Sequence, residues 1–255
     1  MVPIVAYILA ADDCFFSAHN EDIFNLLESW YWASIFSGAY DKDQNQVMIH
    51  DLNYLIKNVC DFMAGNVPNV RWIQDRRDRV LSVDGFSDCD FLLLRDAASD
   101  GLPKSVISST ICQFFLAEGY EDLCMDRQNV PVQLTVFSEY ARSLQTHHVI
   151  PLGSTTIQES TKKLREEKKC YLNSPLNLMY ITDNSNQAIS SKSLAEYTQI
   201  IPTSAGLSQI CFSRVDTITF TSTDDDRREL LRDRYNALNT KIRKTINDLL
   251  PAQNS

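Results

Sequence analysis

Glycine is scarce in this chain: there are seven in 255 residues, and none stands in a G-x-x-x-x-G-K-[ST] run. A phosphate loop built on glycine backbone is therefore excluded. Cysteine never forms a C-x-x-C pair; the seven, at 14, 60, 89, 112, 124, 170 and 211, are scattered and odd in number. That usage argues against a zinc ribbon or a disulfide scaffold, and for reduced thiols in a cytoplasmic protein. Long apolar runs are missing as well. The N-terminal "VPIVAYILAA" is too short to span a bilayer and lacks the basic flank of a secretory signal. It reads as a first core helix, and no membrane contact is expected. Histidine is rare too, with four residues in all, and no internal repeat or low-complexity tract is present.

What is there is ordinary in bulk, with 44% apolar and 22% charged residues. The chain is long enough for one large domain or two small ones. The net charge of −9 is shared unevenly: residues 1–126 carry 8 Lys+Arg against 20 Asp+Glu, the remainder 16 against 13. The acidity belongs to the N-terminal half, so the C-terminal half is free to approach phosphates.

The first half reads as helices. "EDIFNLLESWYWASIFSGAY" spaces Ile23, Leu26, Leu27, Trp30, Tyr31, Ser34 and Ile35 at i, i+3 and i+4, with Gly38 as a stop. "HDLNYLIKNVCDFMAG", "CDFLLLRDAAS" and "SVISSTICQFFLAEG" are further helical segments. Beyond residue 126 the character changes. "VPVQLTVFSEY", "THHVIP" and "LNLMYIT" are short and β-rich, while "STTIQESTKKLREEKKCYL" and "SLAEYTQII" read as helical. A closing amphipathic helix over about 224–250 starts at a Thr223 cap, with three Asp in its first turn. Its stripe is Leu231, Tyr235, Leu238, Ile242 and Leu249, and residues 227–250 carry 7 Lys+Arg against 3 Asp+Glu. The expected fold is α+β: an acidic helical domain over 1–126, a small ββα element over 127–205, and a segment over 206–255 whose long helix packs on the helical domain.

"QTHHVIPLG" sets His147 and His148 side by side ahead of a turn. In a strand the two side chains point to opposite faces, so one packing environment does not explain both. A shared site at a strand end does. Asn177 and Asn186 follow in the next strand and beyond it. One imidazole and one amide oxygen can hold a divalent cation, while a second imidazole near neutral pKa takes a proton from water. An Asn at the start of the second strand can fix that imidazole's tautomer.

"THHVIP", "NSPLNLMYIT" and "NQAISSKSLAEY", in that order, resemble the HNH (ββα-metal) nucleases. The branch concerned forms the C-terminal half of GmrSD-type (type IV) restriction proteins. "WYWASIFSGAY" and "VPIVAYIL" are similar to helices that precede the nuclease there, so the resemblance covers about residues 2–250. It implies His148 as the general base, His147 as a metal ligand, Asn177 as the middle Asn orienting His148, and Asn186 as the final ligand, with Asn184 close beside it. Leu194 stands where that branch commonly carries Pro, and the last ligand is Asn rather than His. The branch's nucleotide-handling domain, with its D-G-Q-Q-R motif, has no counterpart here. Either a separate subunit takes that task or the chain works without it.

The resemblance thus implies a DNA endonuclease of a bacterial anti-phage or restriction system. Its divalent ion would be Mg²⁺, with Mn²⁺ or Ni²⁺ as alternatives. The other reading is a non-catalytic subunit that binds nucleic acid or a partner on an inherited HNH fold. Lys162, Lys163, Arg165, Lys168, Lys169 and Lys192 flank the constellation and are the expected DNA contacts. Elsewhere the plainer readings prevail. His19 and His50 lack partners at ligand spacing and read as surface residues. Trp30, Tyr31 and Trp32 read as core, not as a base-stacking platform, and "RRDR" at 76–79 as a solvated face.

Overall fold

The computed structural model describes residues 20–40, 42–66, 69–80, 93, 110–114, 123, 145–155, 160–167, 170–201 and 218–249. The expected first helix, the "VPVQLTVFSEY" strand, His19, Lys168, Lys169 and most of "CDFLLLRDAAS" lie outside them. The chain divides into two compact units, 1–83 with 241–255, and 84–240. The expected boundaries at 126 and 205 both fall inside the second unit. Among the described residues the structure has α+β character, mostly helical with one two-stranded sheet.

In the first unit, α1 (Asn20–Phe36), α2 (Gln44–Met63) and α3 (Arg71–Val80) follow one another. The i, i+3, i+4 spacing buries Ile23, Leu26, Leu27, Trp30 and Ala33 in one cluster with Leu55, Val59, Val70 and Ile73. Gly38 ends α1 and Gly65 ends α2, each with φ above +60°, the left-handed conformation that glycine adopts without penalty. Trp30 and Trp32 are buried and Tyr31 is half-buried, so the aromatic run is core. His50 is a surface residue of α2.

Arg76 does not lie on a solvated face. Its guanidinium forks onto Asp51 with two 2.5 Å bonds and reaches the Ser34 hydroxyl at 2.7 Å. It also lies over the rings of Trp72 and Tyr40. Asp51 is fully buried and also accepts from Trp30 Nε1 and the Tyr40 hydroxyl. Burial alone would raise its carboxyl pKa, but the bonds from Arg76, Tyr40 and Trp30 outweigh that and hold it below the ordinary value. Removing the cation by Arg76→Met strands a buried carboxylate on two neutral donors. The expected cost is about 2–3 kcal/mol, read from urea unfolding. A loss within 0.5 kcal/mol, on the scale of an ordinary surface change, would show that Arg76 is dispensable.

In the second unit, β1 (Gln145–His148) pairs antiparallel with β2 (Leu178–Ile181), His148 opposite Leu178 and Gln145 opposite Ile181. Between them lies α4 (Thr161–Glu166), capped by Ser160, followed by two 3₁₀ turns at 171–173 and 175–177. The second strand is shorter than "LNLMYIT" suggests. Ser174 caps the Leu176 amide and Pro175 takes the first position of the turn, so Asn177 closes a 3₁₀ turn instead of opening a strand. α5 (Asp183–Ile189) starts at a Thr182 cap and carries both Asn184 and Asn186. α6 (Leu194–Tyr197) starts at a Ser193–Glu196 capping box.

The long helix α7 (Asp224–Leu249) has the expected Thr223 cap, bonded both ways with Asp226. Leu230, Leu231, Tyr235, Leu238, Ile242 and Ile246 are buried along it. Two arginines, Arg227 and Arg234, are buried with that stripe. No helix among the described residues is long and apolar enough to cross a membrane.

Candidate functional site

The turn after the histidine pair is held by four sets of hydrogen bonds. Val149 N donates to the Asn177 carbonyl at 2.8 Å, continuing the strand ladder by one rung. The Asn177 amide, itself fully buried, then grips the turn: Oδ1 accepts from Ile150 N at 2.7 Å, and Nδ2 donates to the carbonyls of Ile150 and Leu172. From α6 the buried Tyr197 hydroxyl donates to the Val149 carbonyl at 2.5 Å. From α7, Arg234 Nη1 donates to the carbonyls of Leu176 and Leu178, on either side of Asn177. Every one of these partners is backbone, so the turn behind His148 is pinned from four directions.

Asn177 therefore differs from its expected role. Its hydrogen bonds go to the main chain and not to the His148 ring. The residue that meets the ring is Asn173, whose Oδ1 lies 3.2 Å from His148 Nε2. Asn173 sits in the 3₁₀ turn before Pro175, four residues upstream of the position that motif spacing singled out.

Strand alternation sends the two imidazoles to different partners. On the His147 side, Asn186 of α5 stands against the ring, and its Nδ2 donates at 2.6 Å to Gln145 Oε1, two residues earlier on the same strand face. Gln145 was not among the expected residues; only its i−2 relation to His147 in the sequence hinted at it. Asn186 is half-buried whereas Asn184 is exposed, so the helix turns Asn186 toward the pair.

Both rings are less basic than free imidazole. Burial lowers His147 to about 4, helped by the nearby His148 and Arg165 and opposed by the Asn186 contact. Burial likewise lowers His148 to about 4, opposed by the Asn173 bond and helped by Arg165. At neutral pH both are uncharged, which is the form that ligates a metal or accepts a proton. Arg165, exposed on α4, is close enough to be felt by both rings, whereas Lys162 and Lys163 are exposed on the same helix. Lys192 donates from its ammonium to the Ala188 carbonyl at 2.7 Å near the end of α5.

His147 Nε2 is buried and has no hydrogen-bond partner among the described residues. An orphaned imidazole nitrogen beside an amide fits a divalent cation that keeps most of its own water. The donors are neutral, however, and no cluster of three His, Cys, Asp or Glu groups occurs among the described residues. No family model, curated protein or solved structure matches the chain.

Proposed function

We propose that the chain is a metal-dependent DNA endonuclease of the HNH (ββα-metal) type, serving a bacterial anti-phage or restriction system. The observation that carries this reading is the β–β–α arrangement in which Asn186 bonds to Gln145 on the strand face of His147, with His148 next to it on a pinned strand end. His147 and Asn186 would hold the divalent ion, Mg²⁺ first and Mn²⁺ or Ni²⁺ as alternatives. Such an ion supplies positive charge for the phosphate and for the departing oxygen.

The protein's own part is proton transfer and positioning. His148 takes a proton from a water whose oxygen bonds to phosphorus as the bond to the 3′ oxygen breaks. The departing 3′ oxygen collects a proton from solvent, leaving a 3′-hydroxyl and a 5′-phosphate. Arg165, with Lys162 and Lys163 on the same helix and Lys168, Lys169 and Lys192 beyond it, contributes salt-sensitive contacts to the DNA backbone. A separate nucleotide-handling subunit and a cytoplasmic setting belong to the same reading.

The test is nicking of supercoiled plasmid, plain and base-modified, with and without Mg²⁺ or Mn²⁺. His148→Ala should lower the rate by about 10²–10⁴-fold with the fold intact, and His147→Ala should move activity to higher metal concentration. Unchanged cleavage by folded His148→Ala would sink the role assignment. DNA binding without cleavage at any metal would favour the non-catalytic subunit. Asn186→His probes the ligand directly: in calorimetry it should tighten Ni²⁺ or Zn²⁺ binding by about tenfold or more, since imidazole suits those ions better than an amide. Unaltered affinity would remove Asn186 from the ligand set.

A further inference from the structure

The polarity of the Asn173 amide is fixed by its surroundings. Its Nδ2 donates to the Leu164 carbonyl at 2.6 Å and the Glu167 carbonyl at 3.1 Å, at the end of α4. Both acceptors are backbone oxygens and can only accept. Turning the amide over would set its oxygen against two carbonyl oxygens, so Oδ1 must be the atom facing His148. An amide oxygen has no hydrogen to give. The bond to His148 Nε2, at 3.2 Å, therefore requires the hydrogen to be on Nε2. A neutral imidazole carries one ring hydrogen, which leaves the lone pair on Nδ1. Among the described residues Nδ1 has no hydrogen-bond partner.

We propose that Asn173 is the positioning residue for His148: it locks the ring as the Nε2–H tautomer and makes Nδ1 the nitrogen that takes the proton from water. The proton-transfer half rests on the nuclease reading above; the tautomer half does not. The chain of support runs from the α4 carbonyls through the Asn173 amide to the imidazole. The end of α4 thereby sets which nitrogen faces the reaction, in the way that outer partners commonly set the tautomer of a working histidine.

The deciding measurement is a two-bond ¹H–¹⁵N correlation spectrum of the full chain, with ¹⁵N-labelled histidine, free of metal, at pH 7.5. His148 is assigned by the cross-peaks missing in His148→Gln. The expected pattern has a protonated Nε2 and an unprotonated Nδ1; a protonated Nδ1 in the wild-type chain overturns the proposal without any variant. In folded Asn173→Leu the ring should shift toward averaged tautomers. Cleavage assays run in parallel. Asn173→Leu should lower kcat by about 10–100-fold with KM nearly unchanged. A fall in Asn173→Leu with the tautomer unaltered would make Asn173 merely structural and overturn the positioning role. If the wild-type chain shows the Nε2–H pattern yet cuts no DNA under any metal, the nuclease reading fails and the tautomer assignment stands.

Discussion

Asn177→Ala should cost the second unit about 4 kcal/mol of stability. The side chain satisfies three buried backbone groups: the Ile150 amide, the Ile150 carbonyl and the Leu172 carbonyl. Each buried group left without its partner costs about 1–3 kcal/mol, and water entering the vacated space recovers part of that. Asn177→Asp should fare no better. It keeps an acceptor for Ile150 N but faces two carbonyl oxygens with a buried negative charge. Urea unfolding followed by circular dichroism gives the number directly. A loss below 1 kcal/mol for Asn177→Ala would show that solvent replaces the clamp and that Asn177 is not structural. Cleavage should fail in both variants together with the fold, which separates Asn177 from His148, where cleavage should fail with the fold intact.

That contrast marks where the sequence was legible. Periodicity located α1, α2 and α7, because an apolar stripe at helical spacing is visible in one dimension; Ile23, Leu26, Leu27 and Trp30 are all core. Caps were legible for the same reason. Thr223 ahead of three Asp marks a helix start, and the bonds are there. The strands β1 and β2 and the short helix α6 come in the order expected, but α5, which carries Asn186, was not expected between them.

What a spacing pattern does not encode is which of two nearby amides turns toward a ring. Asn173 and Asn177 both lie in "NSPLN". The choice between them is made by Pro175 and the Ser174 cap, which coil the segment into 3₁₀ turns and send the two side chains to different targets. Arg76 was hidden for a related reason. A basic run reads as a solvated face unless a buried acid waits for one member of it. Asp51, 25 residues away on another helix, is such an acid. Arg234 was hidden likewise, since its task is to cap backbone carbonyls contributed by a distant turn.

Acid should weaken this protein well before its carboxylates titrate. His147 and His148 are held at about 4 in the folded chain, chiefly by burial, against 6.5 for the ordinary side chain. Above pH 6.5 both states are neutral and stability does not depend on these rings. Between pH 6.5 and 4 the unfolded chain takes up protons that the folded chain refuses, so unfolding gains with every step down in pH. Below pH 4 the folded rings protonate as well and the dependence ends. A shift of this size corresponds to about 3 kcal/mol for one imidazole over the whole range, and about 2 kcal/mol by pH 5. The pair together loses less than twice that, because part of the His147 depression comes from His148. Urea midpoints at pH 7.5, 6.5, 5.5 and 5.0 measure the slope. The His147→Gln/His148→Gln double variant provides the baseline, since it keeps the acids and lacks the rings. The wild-type chain should lose stability faster than that variant across pH 6.5 to 5.0, and the two should run parallel above 6.5. Parallel curves throughout would mean that the rings are as accessible to protons in the folded chain as in the unfolded one, and burial could then no longer account for two neutral imidazoles at the end of β1.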